Sequence, residues 1–144
     1  MKPMNLLHDL IRDVAANEIM PYFLRVQSAR KEDGSVLSQA DLAAQAKLVF
    51  RLPQIIAAPV LGEEMTAAEQ RALWAQHAHS GLWVIDPIDG TNNFVNGLPH
   101  FAVSVAYVAQ GRAQLGAIFN PVSGELFSAE RGGGAFLNDT RLPL

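Results

Sequence analysis

The first apolar pattern of the chain has helical spacing. Within residues 6–23, apolar side chains recur three or four positions apart and polar side chains occupy the opposite face, which predicts an amphipathic helix. Its apolar positions are Leu7, Leu10, Ile11, Val14 and Ile19. Pro21 predicts that this helix bends or ends there, because proline lacks the N–H that a helix interior uses.

Two further helices are predicted before the middle of the chain. The polar, turn-rich segment Arg30–Ser35 predicts an exposed loop. Ser38, with Asp41 three residues later, predicts the N-terminal cap of a second helix that runs to Pro53. The predicted buried stripe of that helix is Leu42, Ala43, Ala46, Val49 and Phe50. A third helix, over residues 71–77, follows a capping-box pattern formed by Thr66 and Glu69.

The second half of the chain has the pattern of β-structure. Leu82–Ile85 is a continuous apolar run too short for a helix, which predicts a buried strand with Asp86 at its tip. Four more strands separated by glycine-containing turns predict a meander, over residues 101–109, 113–120, 125–129 and 135–137. Helices followed by strands favour an α+β fold, a layered sandwich of an antiparallel sheet and helices in one domain over residues 1–144. Trp74 and Trp83 are expected in its core.

Composition excludes several classes of function. The 144 residues are 49% apolar with a net charge of −3 and no basic run, so a nucleic-acid polymer is not an expected partner. The absence of cysteine excludes disulfides, thiolate metal sites and cysteine nucleophiles. No signal peptide or membrane span is apparent, so we expect a soluble, unexported, cytoplasmic protein with no membrane partner.

Acidic residues in the middle of the chain carry the candidate chemistry. Asp86 and Asp89 follow a buried strand, and Pro87 restricts Asp86 to extended geometry, so both carboxylates and the Ile88 carbonyl can face one point. Such hard oxygen ligands suit Mg²⁺. Gly90 permits a tight turn, and a helix starting at Thr91 would offer free N–H groups to a phosphate. A second acidic pair, Glu63 and Glu64, follows Gly62 and can meet the first pair across neighbouring strand ends.

Each of these motifs has an ordinary structural explanation when it is taken alone. Asp-Pro-x-Asp-Gly is good turn chemistry, a Glu-Glu pair is usually solvated, and Ser38 with Asp41 is typical of a helix cap. His77 and His79 fall on different helix faces, and the glycine run 132–134 lacks the ending of a phosphate loop. These histidines and glycines are therefore assigned no chemistry.

Taken together and in order, the motifs closely resemble the inositol monophosphatase family of Mg²⁺-dependent, lithium-sensitive phosphatases. The residues that carry the resemblance are Trp83–Phe94, Gly62–Glu64, Lys31–Asp41, Gly97–Ala106 and Gly132–Asn138. Ser38 stands where threonine is commoner in the family. The resemblance covers nearly the whole chain and implies the sandwich fold of the sugar phosphatases.

The resemblance also implies a role for each site residue. Glu63, Asp86 and the Ile88 carbonyl would bind one Mg²⁺, Asp86 and Asp89 would bind a second, and Glu64 would support a third. The catalytic residues would be Thr91, Asp41 and Glu64, with Thr91 and Asp41 orienting the attacking water. The substrate would contact Glu63, Asp89, Gly90 and Thr91, with the amides of Gly90 and Thr91 on the phosphate oxygens.

The chain departs from the family in one respect. Family members continue further and carry a Trp-Asp-x-Ala-Ala signature that is absent from these residues, so we expect a chain truncated after the first half. The expected substrate is inositol-1-phosphate, and histidinol phosphate, fructose 1,6-bisphosphate and 3'-phosphoadenosine 5'-phosphate are the alternatives. A non-catalytic module that binds metal or phosphate is the alternative from another class. The resemblance also implies a homodimer.

Overall fold

A computed structural model describes residues 1–28 and 34–143 of the chain. Part of the predicted loop Arg30–Ser35, residues 30–33, lies outside the described residues, as does the beginning of the Lys31–Asp41 segment. The helices are α1 (Pro3–Val14), α2 (Met20–Ser28), α3 (Ser35–Ile55), α4 (Ala67–His77) and α5 (Thr91–Val95). The strands are β1 (Val60–Leu61), β2 (Leu82–Asp89), β3 (Ala102–Ala109), β4 (Arg112–Asn120), β5 (Glu125–Glu130), β6 (Gly134–Leu137) and β7 (Thr140–Arg141).

The strands form one mixed sheet in the order of the chain, β1 to β7. β1 is parallel to β2, and every following neighbour is antiparallel. The α+β fold and the predicted meander are confirmed, with the short parallel strand β1 added at one edge. No helix within the described ranges is long and apolar enough to cross a membrane.

The N-terminal helix does not end at Pro21. A π-helical turn, Ala15–Ile19, connects α1 to α2, and the helical path continues to Ser28. The wider turn lies directly before the position whose missing N–H and bulky ring would disrupt a regular α-helix. The π turn therefore accommodates Pro21 in a continuous helical segment. Of the two predicted outcomes, a bend or an end at Pro21, the end was wrong.

The predicted start and buried face of α3 were also wrong. The helix begins at Ser35 after Gly34, and the Ser38 hydroxyl lies inside the first turn, where it donates to the Gly34 carbonyl at 3.1 Å. The buried positions are Val36, Ala40, Ala44, Leu48 and Leu52. The predicted stripe instead contains residues that face outward, among them Leu42 at 66% and Phe50 at 71% exposure. Both faces of α3 are apolar, and packing against α1 and β2 selects the face with the smaller alanines.

The core lies between the helices and the sheet. Phe23, Phe94 and Phe101 form an aromatic cluster with ring centroids 4.7–5.5 Å apart, which connects α2 to α5 and to the residue before β3. Trp83 is fully buried, and its Nε1 donates to the Ile56 carbonyl at 3.0 Å. Trp74 is 46% exposed, so the prediction that it belongs to the core was wrong.

Candidate metal and phosphate site

The parallel pair β1 and β2 brings the two acidic segments together. Val60 pairs with Trp83 and Leu61 with Val84, so the same register carried two residues further sets Glu63 beside Asp86. The carboxyl groups of Asp86 and Glu63 are in hydrogen-bonding contact. The predicted meeting of the two acidic clusters across neighbouring strands is therefore observed for this pair.

A β-bulge determines how Asp86 and Asp89 are related. Asp86 pairs with Ser104 and Asp89 with Ala102, so β2 contains one residue more than β3 over this stretch. Residues three apart in a regular strand point to opposite faces, and the extra residue returns Asp89 to the side of Asp86. The strand also continues to Asp89, so Asp86 does not lie at its tip as predicted. Ile88, buried to 1% exposure, lies inside the bulge, where the main chain is free of regular ladder pairing.

Asp86 is the most perturbed acid of the site. Burial raises its pKa from 3.8 to about 6, helped by the charge of Glu63, by the hydrogen bond to Glu63 and by the charges of Asp89 and Asp41. Its Oδ1 atom is buried and has no hydrogen-bond partner among the described residues. A cation near a carboxyl that is surrounded by three other acids would stabilise its charged form.

Helix α3 contributes Asp41 to the same region. Asp41 is half-buried, and burial, followed by the charges of Glu63 and Glu64, raises the pKa of its carboxyl. Its Oδ1 atom is also buried without a hydrogen-bond partner within the described ranges. Asp41 therefore faces the acidic turn after β1.

Gly90 forms the turn between β2 and α5. Its φ of +93° is in the left-handed region, and a Cβ atom on it would lie 2.8 Å from the His100 carbonyl oxygen. Asn93 Nδ2 donates to that same carbonyl at 2.7 Å, which holds the loop before β3 against Gly90. The predicted turn at Gly90 and helix start at Thr91 are confirmed. The first amides of α5 lack intrahelical partners, as at any helix start.

The predicted site residues are only partly assembled. Asp41, Glu63, Asp86 and Asp89 interact electrostatically, and Glu64 acts on Asp41. Thr91 is exposed and does not bond to the unpartnered Oδ1 of Asp41. Across residues 1–28 and 34–143, no three acidic or histidine side chains converge closely enough to hold a metal ion as they stand. Like-charged carboxylates repel one another without a cation, and the exposed side chains of Glu63 and Glu64 are free to separate.

The residues present nevertheless fit a hard divalent cation. The donors are carboxylate oxygens together with the main chain of the bulge, the oxygen ligands that Mg²⁺ prefers. Two of the carboxylate oxygens, one on Asp41 and one on Asp86, are buried and have no hydrogen-bond partner within residues 1–28 and 34–143. A buried polar atom in this condition is costly unless it bonds to a ligand, water or ion.

Two neutral side chains beside the acids were absent from the sequence-based site. Gln70 Nε2 donates to the carbonyl oxygens of Gly62 at 3.0 Å and Glu63 at 3.5 Å. Gln45 Nε2 lies 2.9 Å from the position that a Cβ on Gly62 would take. Gln45 follows Asp41 by four residues, so helical spacing signalled that they share a face. For Gln70 no signal existed, because its partners are main-chain atoms of another segment.

Comparison with known proteins agrees with this arrangement. The sequence profile of the inositol monophosphatase family matches residues 4–144. The chain is 43% identical over 120 residues to an inositol-1-monophosphatase of Rhizobium meliloti, covering 81% of the chain and 42% of the relative. It is 35% identical over 118 residues to the Nus factor SuhB of Vibrio cholerae, covering 82% and 42%.

A solved structure shares the fold. The extragenic suppressor protein suhB of Bartonella henselae superimposes with a TM-score of 0.74 at 31% identity, over 98% of this chain and 53% of the other. The chain thus spans about half the length of that structure and about two fifths of the curated relatives.

Proposed function

Because the chain belongs to the inositol monophosphatase family, we propose that it supplies the metal and phosphate site of a Mg²⁺-dependent phosphomonoesterase. The observation that carries the proposal is the mutual electrostatic interaction of Asp41, Glu63, Asp86 and Asp89, with one buried oxygen on each of Asp41 and Asp86 that has no hydrogen-bond partner among the described residues. The similarity to a Rhizobium meliloti inositol-1-monophosphatase favours inositol-1-phosphate or a similar small polyol phosphate as the substrate.

Glu63, Asp86, Asp89 and the Ile88 carbonyl would hold two Mg²⁺ ions, and Glu64 would support a third. Bound Mg²⁺ supplies Lewis acidity, which neutralises phosphate charge and lowers the pKa of water. The pKa of Asp86, about 6, leaves this carboxylate deprotonated and available for a cation near neutral pH. Its central position among Glu63, Asp89 and Asp41 supports the role of a bridging ligand.

Thr91 and Asp41 would orient the attacking water and accept its proton. Helices α3 and α5, which carry them, are in contact, and the raised pKa of Asp41 suits a proton acceptor better than that of an ordinary surface carboxylate. The amides of Gly90 and Thr91 would donate to the phosphate oxygens. The position of Gly90 directly before α5 supports this role, because the first amides of a helix lack intrahelical partners.

The decisive test is phosphate release by the 144-residue chain with Mg²⁺ over inositol, histidinol, fructose and adenosine phosphates. Asp89→Asn is expected to abolish release while circular dichroism shows an unchanged fold, and Asp9→Asn, an exposed carboxylate on α1, serves as the matched control. Unchanged turnover in Asp89→Asn would overturn the site assignment.

A binding role without catalysis is the second candidate. It is favoured by the similarity to the Nus factor SuhB of Vibrio cholerae. No phosphate release from any substrate of the panel, together with Mg²⁺ binding that Asp86→Ala removes, would support it. Robust turnover by the 144-residue chain would contradict it.

We further propose a cytoplasmic homodimer that lithium inhibits, three properties carried over from the family resemblance. Sedimentation equilibrium of the purified chain tests the dimer. Inhibition of Mg²⁺-supported phosphate release by LiCl, with NaCl at equal concentration as the control, tests lithium sensitivity.

A further inference from the structure

The side chain of Gln70 ties the acidic turn after β1 to helix α4. Its Nε2 donates to the Gly62 carbonyl at 3.0 Å and approaches the Glu63 carbonyl at 3.5 Å. These two carbonyls belong to the peptide groups on either side of the Glu63 Cα atom. A movement of the Glu63 main chain therefore has to break or strain the contacts of Gln70.

Gln70 is itself held in place by the start of its helix. Thr66 caps α4 by accepting from the Glu69 amide at 3.1 Å, and the Glu69 carboxylate accepts from the Thr66 amide at 2.8 Å. The backbone N–H of Gln70 donates to the Thr66 carbonyl at 2.9 Å, so Gln70 belongs to the first turn of α4 that this cap fixes. Its side chain consequently reaches the acidic turn from a rigid base.

The turn has little other support at this point. Among the described residues, the Gly62 carbonyl accepts one other backbone hydrogen bond, a long one of 3.4 Å from Met65. The Glu64 carboxylate and the Gln45 amide crowd over Gly62, 2.8–2.9 Å from where a Cβ atom would stand. This crowding shapes one side of the turn, whereas Gln70 holds its main chain.

The turn needs such support because its acids repel their neighbours. Glu63 faces Asp86, and the charges of Glu63 and Glu64 both act on Asp41. In the absence of a cation this repulsion pushes the turn away from β2. A lysine at position 70 would also reach the carbonyls, but its charge would pair with the carboxylates and compete with a metal. A neutral amide restrains the main chain without that competition.

We propose that Gln70 is a positioning residue of the metal site: by holding the Gly62 and Glu63 carbonyls, it keeps the Glu63 carboxylate facing Asp86 and so determines the affinity for divalent cations. This inference rests on the proposed function, since it concerns the cation that Glu63 and Asp86 would hold. Gln70 contacts neither the cation nor the substrate, and it acts through the Glu63 main chain.

The test is a calorimetric titration with Mn²⁺ of the 144-residue chain and its Gln70→Met variant, which keeps the length of the side chain and removes the donor. We expect the affinity for Mn²⁺ to fall about tenfold or more, the range for partners that orient metal ligands. Gln76→Met, an exposed glutamine on the same helix, is the matched control and is expected to bind as the parent does. The titrations are run well below the unfolding midpoint of each variant, so a purely structural role would leave the affinity unchanged.

The outcomes separate this inference from the function on which it rests. Equal Mn²⁺ affinity in the parent chain and Gln70→Met overturns the positioning role and leaves the proposed function standing. A parent chain that is folded but does not bind Mn²⁺ overturns both. If Gln70→Met does not fold, Gln70→Asn replaces it, because its amide is one methylene too short to reach the turn, and the same loss of affinity is expected.

Discussion

The carboxyl groups of Glu63 and Asp86 meet where the parallel strands β1 and β2 lie side by side, although 22 residues separate them in the sequence. This contact brings an exposed acid, Glu63, against the half-buried Asp86, and neither has a cationic partner among the residues that the structure describes. It raises the free energy of the fold without a cation, and the proposed Mg²⁺ would relieve this repulsion.

Asp86→Asn is expected to stabilise the metal-free chain. The folded pKa of Asp86, about 6, lies above its ordinary value of 3.8, so the folded state binds more protons between these pH values. The stability that this carboxyl contributes is therefore fully present below pH 3.8 and is lost as the pH rises through about 6. At pH 7 the free energy of unfolding of the asparagine variant should exceed that of the parent chain by about 1 kcal/mol, after allowance for solvent screening.

Urea denaturation at pH 4.5 and pH 7 without divalent cations measures this effect. The gain in Asp86→Asn should be larger at pH 7, and the variant should lose Mg²⁺ binding. Asp9→Asn is the control, with an expected change within about 0.5 kcal/mol. A variant less stable than the parent at pH 7 would contradict the assigned cause of the shift.

Gly90→Ala is expected to damage the turn that leads into α5. The residue has a φ of +93°, and its new Cβ would lie 2.8 Å from the His100 carbonyl. Gly111→Ala is the matched control, because Gly111 has a φ of +70° and open space around it. Both alanine variants should lose about 1 kcal/mol or more of unfolding free energy, because alanine is strained in the left-handed backbone conformation. The additional loss in Gly90→Ala, about 1–3 kcal/mol, measures the clash with the His100 carbonyl. Equal losses in thermal unfolding would show that the close approach is unimportant.

Phe94→Ala is expected to destabilise the fold by about 3–5 kcal/mol. Phe94 is fully buried, and its ring packs on Phe23 at 5.5 Å and on Phe101 at 5.1 Å. The substitution opens a cavity where α5 joins the core. Phe50→Ala, at a position 71% exposed on α3, is the control and should change stability by about 0.5 kcal/mol or less. Guanidinium titration of both variants gives the difference, and comparable losses would refute the position of the core.

Lys47→Met is expected to weaken the packing of α3 on the N-terminal helices. Its ammonium lies 2.8 Å from the Asp13 carboxylate and 3.4 Å from that of Glu18. This pairing holds the pKa of Asp13 below its usual range. The expected loss is about 1 kcal/mol at low salt, decreasing as salt is added. An exposed Arg71→Met on α4 should show neither the loss nor its salt dependence.

The strands of the second half followed from local pattern alone. Alternation and glycine-containing turns located β3 to β6 to within one residue at either end. The capping box at Thr66 and Glu69 was also identified correctly, but α4 begins directly after it at Ala67, four residues before the predicted start. Gly90 was identified as a turn because glycine permits a tight turn between the acidic segment and the helix that starts at Thr91. These are short-range properties, so the residues within a few positions suffice to determine them.

Several of the errors concern choices that depend on distant residues. Leu42, Val49 and Phe50 made one face of α3 look like the core, but contact with α1 and β2 buries the opposite face. Trp74 and Trp83 are the same residue type, and Trp74 is exposed while Trp83 is buried because α4 lies at the surface. Pattern also had no means of showing that a π turn would carry the first helix past Pro21.

The sequence by itself determined the candidate donors, since the pairs Glu63–Glu64 and Asp86–Asp89 and the turn at Gly90 each follow from residues close together in the chain. The tertiary structure decided which acids face one another, how far their pKa values move and which neutral side chain restrains them. Burial, electrostatic coupling and the hydrogen bonds of Gln70 to Gly62 and Glu63 each need partners from separate segments. Such partners come together only when β1, β2, α3 and α4 have packed.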